Sequence, residues 1–380
     1  MELLDSPIRK YAWGSRSAIA ALQGRPSPAA EPEAELWMGA HPASPSRLAV
    51  SGTSLVDAIA ADPEGLLGAS GVARFGPRLP FLLKVLAAAQ PLSLQAHPTL
   101  AQAREAHAAG HPSYVDAWHK PEMLVALTDF DALCGFRDPA VTAADLAALD
   151  VAGLEETVGA LRQQDKAAAL HDAVRGLLGK PDSRLVDEVV AACAARGGAY
   201  SLAPELAEQY PGDAGVIVAM LLNRVRLRPG EAVWMPAGNL HAYLRGVGVE
   251  IMAASDNVLR GGLTPKHVDV DELLRVLRFE VLDDPVTRPV DLGPGLVTWP
   301  VPVEDFTLHR AVLDPADAGT TAVRLPGGGP RIVLCVRGAV RIDDGVVPVT
   351  LAAGEAAFAP ASRGALAVSG EGEVFQAATP

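Results

Sequence analysis

Apolar residues change rhythm several times along the chain. Up to about residue 137 they come in short runs separated by turn formers such as Gly14, Gly24, Pro42 and Pro91, which predicts short strands and loops. One stretch there, near Leu100 to Ala109, reads as a short helix. From about Asp138 to Leu222, Ala, Leu, Glu, Gln and Arg dominate. Apolar positions recur at helical spacing in Leu154, Val158 and Leu161 and again in Leu185, Val186, Val189 and Val190, so this region is predicted to be a helical insertion. Strand alternation returns near Asn223, in Val225-Arg226-Leu227-Arg228 ahead of Pro229-Gly230. From about Phe279 to Pro380 the chain again reads as strands and turns, with Gly327-Gly328-Gly329-Pro330 preceding the apolar run Ile332 to Val336.

An internal echo links the last two β-rich blocks. Leu227 to Pro236 aligns with Leu351 to Pro360, matching Gly230 with Gly354, Glu231 with Glu355, Ala232 with Ala356 and Pro236 with Pro360. Two related β units follow from it. Five residues past the shared proline the copies diverge: His241 ends the first and Ala365 stands at its place in the second, so only the first unit is expected to carry chemistry. The expected partition is 1–137 with 223–278 as one discontinuous β unit, 138–222 as the helical insertion and 279–380 as the second β unit.

Composition narrows the function classes. The 380 residues are 49% hydrophobic and 20% charged, which suits a globular chain of more than one unit. Apolar stretches such as Leu79 to Leu83 are too short to cross a bilayer, and the opening Met1 to Pro7 lacks the basic and apolar regions of a signal peptide. A cytoplasmic location is expected, with no membrane partner. A net charge of −13 with scattered basic residues argues against nucleic acid. Cys134, Cys193 and Cys335 are too far apart for a thiolate metal site, so any metal must take N and O ligands. Only six of the 32 basic residues are lysine, and those six invite scrutiny because an ammonium can lose its proton where a guanidinium cannot.

The phrase Gly230-x5-Pro236-x-Gly238-x2-His241 resembles the second motif of the cupin family, whose β-barrels build metal sites from inward-facing strands. A Pro-Gly turn places a histidine on a rigid strand three residues on. If His241 is one ligand, Gln95 and His97 supply two more at i and i+2, facing one side about 7 Å apart by strand rise. Glu122 opens the apolar strand after Pro121 and is a fourth. Singly, each histidine reads as a core residue with its hydrogen bonds made. Together, Gln95, His97, Glu122 and His241 read as a divalent-metal site, with Zn2+ the natural ion.

Over essentially its whole length the chain resembles the type I mannose-6-phosphate isomerases, a zinc-dependent family. The segments that carry the resemblance are Pro7 to Ser15, Ala34 to Pro42, Pro80 to Lys84, Pro91 to Pro98, His119 to Glu122 and Gly248 to Lys266. The resemblance implies a mainly β fold with two cupin-type jelly-roll β-barrel units and an inserted α-helical domain. It implies one Zn2+ per chain on Gln95, His97, Glu122 and His241. It also implies interconversion of mannose 6-phosphate and fructose 6-phosphate, and it points to Ser93, Arg260 and Lys266 for the phosphate, with Lys84 nearby.

Moving a carbonyl between C1 and C2 shifts a carbon-bound proton through an enediolate. Its negative charge needs a cation, from a Lewis-acidic metal or from Arg260, and the proton needs a base. Lys120, Asp256, Glu250 and His119 are the candidates, and the sequence does not choose among them; a hydride shift needing no base stays open. Two histidines and one carboxylate on a cupin also suit Fe(II) oxygen chemistry, and a double cupin can be a non-catalytic sugar-phosphate sensor or storage protein. Gln95 and the phosphate cations favour the isomerase, acting as a monomer on a small sugar phosphate. His107 and His111 stand at i and i+4, but Gly110 and Pro112 break that helix, so both are expected at the surface. His171, His267 and His309 lack a partner pattern. Trp13, Trp37 and Trp118 suit core filling or a sugar wall.

Overall fold

A computed structural model describes residues 1–313 and 322–380. Among them the chain forms two antiparallel sheets, with helices concentrated between residues 139 and 219. One sheet runs in the order Val286–Thr287, Ala232–Met235, Glu122–Ala126, His241–Ala253, Phe81–Ala88, Glu35–Gly39, Ile8–Arg9. Its central strand, His241–Ala253, changes partners halfway. Its second half pairs with Phe81–Ala88 and Glu122–Ala126, and its first half with Gln95–Ala96 and Phe130–Phe136. The register shifts between Tyr243 and Arg245, and next to the shift Gly246 has φ +132° with no room for a Cβ, which would fall 2.6 Å from the Phe130 ring. A bulge beside a glycine is how a strand bends without ending.

Side chains alternate across a strand, so each face of this sheet is set by sequence parity. Leu36, Met38, Leu83, Val85, Met123, Val125, Val249 and Ile251 form one face, packed in a common core with Ile332, Leu334, Phe358 and Phe375 of the second sheet. The opposite face carries Trp37, Lys84, Glu250 and Leu124 in one register row and Glu122, Met252 and Leu82 in the next. All eight residues of Phe81–Ala88 and all five of Glu122–Ala126 are buried, which makes the charged Lys84 and Glu122 exceptional there.

The second sheet runs Val290–Gly293, Leu296–Thr298, Thr307–Leu313, Leu366–Ala378, Arg331–Asp343, Ala356–Ala359, Glu2–Asp5, Arg47–Leu48. The N-terminal strand thus belongs to the sheet of the C-terminal residues, while Val286–Thr287 pairs in the other. The sequence echo corresponds to one repeated turn. Gly230 and Gly354 have φ +89° and +83°, and Glu231 and Glu355 each accept a backbone N–H from three residues before, at 2.9 and 2.8 Å. That left-handed φ is why glycine stands at both positions.

Helices of the 139–219 region start where Asp138, Asp165 and Asp182 accept backbone N–H groups as N-caps. The short helix lies at Leu100–Ala108, closed by a Thr99/Gln102 capping box. Four helices occur where short strands and loops were expected, Ala18–Leu22, Leu55–Ala61, Pro63–Leu67 and Ala69–Phe75, and Val270–Val276 is a fifth in a strand-like block. Each has only 5 or 7 residues, too few to display a helical period. Such helices persist by packing, here of Leu55, Ile59, Leu67 and Phe75. Among the described residues, no helix is long and apolar enough to cross a membrane.

Candidate metal centre and active site

His97, Glu122 and His241 are buried, and their ligand atoms lie within 4.8 Å of one another. His241 Nε2 is 2.8 Å and His97 Nε2 3.3 Å from Glu122 Oε1. Each imidazole is turned by its other nitrogen, which meets a backbone carbonyl: His97 Nδ1 at 2.8 Å from Asn257 O, and His241 Nδ1 at 3.0 Å from Asn239 O. A proton on Nδ1 leaves both Nε2 lone pairs aimed at the common centre, the orientation metal-binding histidines adopt. Among the described residues His97 Nε2 has no hydrogen-bond partner despite full burial, an orphan that a cation would satisfy. Burial lowers the His97 pKa to about 4, so its ring is neutral and able to ligate near neutral pH.

Gln95 stands directly opposite both His241 and Arg260 in the strand register, so the three side chains share a face. The motif turn holds this arrangement. Gly238, at φ +80°, donates its N–H to His97 O at 2.8 Å, joining the turn before one ligand to the strand of another.

Beside the cluster lies a buried charge network. Lys120 Nζ is 3.5 Å from Glu122 Oε2, and Lys84 Nζ donates to Glu250 at 3.0 Å and to Glu35 at 3.2 Å. The Trp37 indole N–H donates to Glu35 at 2.9 Å, and Lys84 Nζ sits 5.3 Å from the Trp37 ring centroid. Burial alone would raise the Glu122 carboxyl, but Lys120 and His97 hold it well below the ordinary range. Burial, with Glu122 and Glu35, raises Glu250 against the pull of Lys84. Burial would lower Lys84, and Glu250, Glu35 and Glu122 overcome it and raise the pKa. Two lysines against three carboxylates leave this interior short of one positive charge, and a dication at the histidines more than offsets the deficit, which suits an anionic substrate.

The remaining sequence-derived residues fall at the rim or apart. Asp256 Oδ1 is 3.4 Å from His41 Nε2, whose hydrogen bond, more than any other influence, lowers the Asp256 pKa. His119 Nε2 meets Asp305 at 2.9 Å. Arg260 is half-buried with no acidic partner among the described residues, and burial lowers its pKa without costing a guanidinium its charge. Ser93 is two residues before Gln95, whereas Lys266 is exposed in the loop past Leu259–Arg260. Gly262 packs against the helical region: a Cβ there would fall 2.6 Å from Gly215 Cα, so the Gly261-Gly262 pair serves a close approach. His107 is exposed at the end of its helix.

Sequence reasoning missed Glu35, His41, Asn257 and Asp305 as site residues. Asn257 is fully buried; its side chain donates to Asp116 O and Trp118 O, each at 2.8 Å, and accepts from Val115 N at 2.8 Å. The available signal was a charged or amide residue inside an otherwise apolar strand or motif, as with Glu35 in Glu35–Gly39.

Residues 1–139 match the family described as "Phosphomannose isomerase type I, catalytic domain". The chain is 39% identical to mannose-6-phosphate isomerase of Escherichia coli strain K12 across 98% of both chains, and 35% identical to that of Schizosaccharomyces pombe across 89% of both. A zinc-bound crystal structure of mannose 6-phosphate isomerase superposes with TM-score 0.90 at 36% identity, covering 100% of this chain and 99% of that one. A lysine-to-alanine variant of phosphomannose isomerase from Salmonella typhimurium gives 0.91 at the same identity and coverage. With this identity spread over the full length and the His97, Glu122 and His241 geometry in place, the chain belongs to the mannose-6-phosphate isomerase family of enzymes.

Proposed function

We propose that this protein interconverts D-mannose 6-phosphate and D-fructose 6-phosphate through an enediolate, using one Zn2+ held by Gln95, His97, Glu122 and His241. The observation that carries the reading is the buried His97, Glu122 and His241 cluster with an orphaned Nε2, inside a chain 39% identical to an enzyme of that name. Bound zinc supplies a Lewis acid for the sugar oxygens where charge develops.

The chain's own residues supply the rest. A base takes the C2 proton as the C1 carbonyl oxygen gains one; the same carbon-bound proton returns to C1 as the C2 hydroxyl loses its own. Lys120 and Glu250 lie nearest the cluster for this transfer, with Asp256 and His119 at the rim, engaged by His41 and Asp305. Arg260, charged and without a carboxylate partner among the described residues, faces the enediolate or the phosphate. Ser93 and Lys266 complete the phosphate pocket; Lys84 contributes a charge already shared with Glu35 and Glu250.

This reading takes the two sheets as cupin-type jelly-roll units, partitioned 1–137 with 223–278, 138–222 and 279–380, the first unit lending Glu2–Asp5 and Arg47–Leu48 to the second sheet and the second lending Val286–Thr287 to the first. The enzyme is taken as a cytosolic monomer. A coupled assay for fructose 6-phosphate formation, with and without chelator, tests it. Turnover is expected to vanish on chelation, return with zinc and be absent in His241→Ala; turnover surviving complete zinc removal sinks the site as drawn.

A further inference from the structure

The second sheet has no histidine at the place of His241, yet one of its connections reaches the active-site rim. Asp305 precedes the strand Thr307–Leu313 and is 5% exposed, and one of its carboxylate oxygens meets His119 Nε2 at 2.9 Å. Its neighbour Phe306 is fully buried in the core between the two sheets, with its ring 6.2 Å from Trp234. Phe306 therefore anchors the backbone that presents Asp305. On the other side of the contact, His119 leads through Lys120 and Pro121 to Glu122, and proline leaves this link little freedom.

The segment before this link is held differently. Asp116 and Trp118 are tied to Ser255 and Asn257 within the first unit. Arg78 stacks over Trp118 at 4.1 Å and donates to the carbonyl of Ala254. His119 itself has Asp305 as its hydrogen-bonding partner among the described residues. One end of the segment is thus fixed from within its own sheet, and the imidazole next to Lys120 is fixed from the other sheet.

We propose that Asp305 is a positioning residue for the isomerase site: its carboxylate pins His119, and through the short His119-Lys120-Pro121-Glu122 link it sets where the Lys120 ammonium stands against Glu122. A charge-assisted bond between a buried carboxylate and an imidazole holds geometry well, because leaving the carboxylate unpaired is costly. Displacements well under 1 Å at a reacting group are enough to slow turnover. The second β unit, without ligands of its own, thereby takes part in catalysis by holding a rim segment of the first. The kinetic part of this inference rests on the proposed function; the mechanical part does not.

The test compares zinc-loaded wild type, Asp305→Ala, Asp305→Asn, His119→Ala and the double alanine variant. Asp305→Ala is expected to lose about tenfold in kcat, with KM within about twofold, at wild-type zinc content. Asp305→Asn, which keeps an acceptor oxygen, is expected to retain most of the activity. His119→Ala should match Asp305→Ala, and the double variant should lose no more than either. Wild-type kcat in Asp305→Ala, or losses that add in the double variant, overturns the proposal. Should Asp305→Ala fail to fold, His119→Ala decides from the other side of the bond, and wild-type kcat there overturns it equally. Backbone hydrogen exchange of residues 116–122 supplies a readout that needs no turnover. It is expected to accelerate in Asp305→Ala and in His119→Ala, and unchanged protection overturns the tether even in a chain without isomerase activity.

Discussion

The N–H of Gly238 bonds to the carbonyl of His97 at 2.8 Å, so the turn that launches His241 is stitched to the backbone of the other metal-facing histidine. Two residues 141 positions apart in sequence thereby share one hydrogen bond beside the metal centre. The turn is also tightly enclosed: a Cβ on Gly238 would lie 2.7 Å from the Arg278 side chain and 2.8 Å from Val276 O, at φ +80°.

Gly238→Ala is therefore expected to cost about 2–4 kcal/mol of stability, from left-handed backbone strain plus overpacking. Its zinc content after dialysis should fall with it. Gly24→Ala is the control, because Gly24 has φ +63° with open space around it and carries the strain alone. Urea unfolding of the two variants separates the effects. Equal midpoints and full zinc in Gly238→Ala would show that the turn tolerates the methyl group.

Asn257 serves two ends of the site: its backbone carbonyl orients His97, and its side-chain amide holds the 115–118 segment. Asn257→Ala removes a fully buried amide and the partner it gives to backbone groups of Val115, Asp116 and Trp118, for a loss of about 1–3 kcal/mol. Zinc affinity should weaken about tenfold, the usual effect of disturbing the groups behind a ligand. Competition with a chromogenic chelator measures it, and unchanged affinity would detach Asn257 from the metal centre.

What could be read beforehand followed from local chemistry. His241 was legible because Pro236 and Gly238 spell out a turn, His97 because it follows Gln95 by two residues just before Pro98, and Glu122 because it opens an apolar strand after Pro121. The helical region was legible from its alanine and leucine periodicity. Asn257 and Asp305 were not, since each acts on a partner far off along the chain: 141 residues from Asp116 and 186 from His119. No local pattern encodes such a meeting. The helices between residues 55 and 75 escaped for a different reason, being too short for periodicity and held by packing.

Lys84 compensates two buried carboxylates at once, Glu35 and Glu250. Lys84→Met should destabilise the fold by about 3–5 kcal/mol, the range for stranding buried charge. Adding Glu35→Gln and Glu250→Gln to Lys84→Met should restore most of that stability without restoring turnover. Urea unfolding alongside the coupled assay reads both. A Lys84→Met protein as stable as wild type would mean that the carboxylates find compensation elsewhere.

Acidification should loosen the metal-free protein in a defined window. Burial depresses His97 from the ordinary 6.5 to about 4 in the folded state. Between those values the unfolded chain binds a proton that the folded chain refuses, so the unfolded state is favoured as pH falls. The contribution is fully present above about pH 6.5 and is lost as pH drops towards about 4, below which the folded state is protonated too and this slope ends. His97→Gln removes the group and should flatten that part of the profile, while Glu122, still held low by Lys120, keeps its own loss at more acidic pH. Urea midpoints of zinc-stripped wild type and His97→Gln across the window decide the matter, because parallel curves would mean that His97 titrates alike in both states.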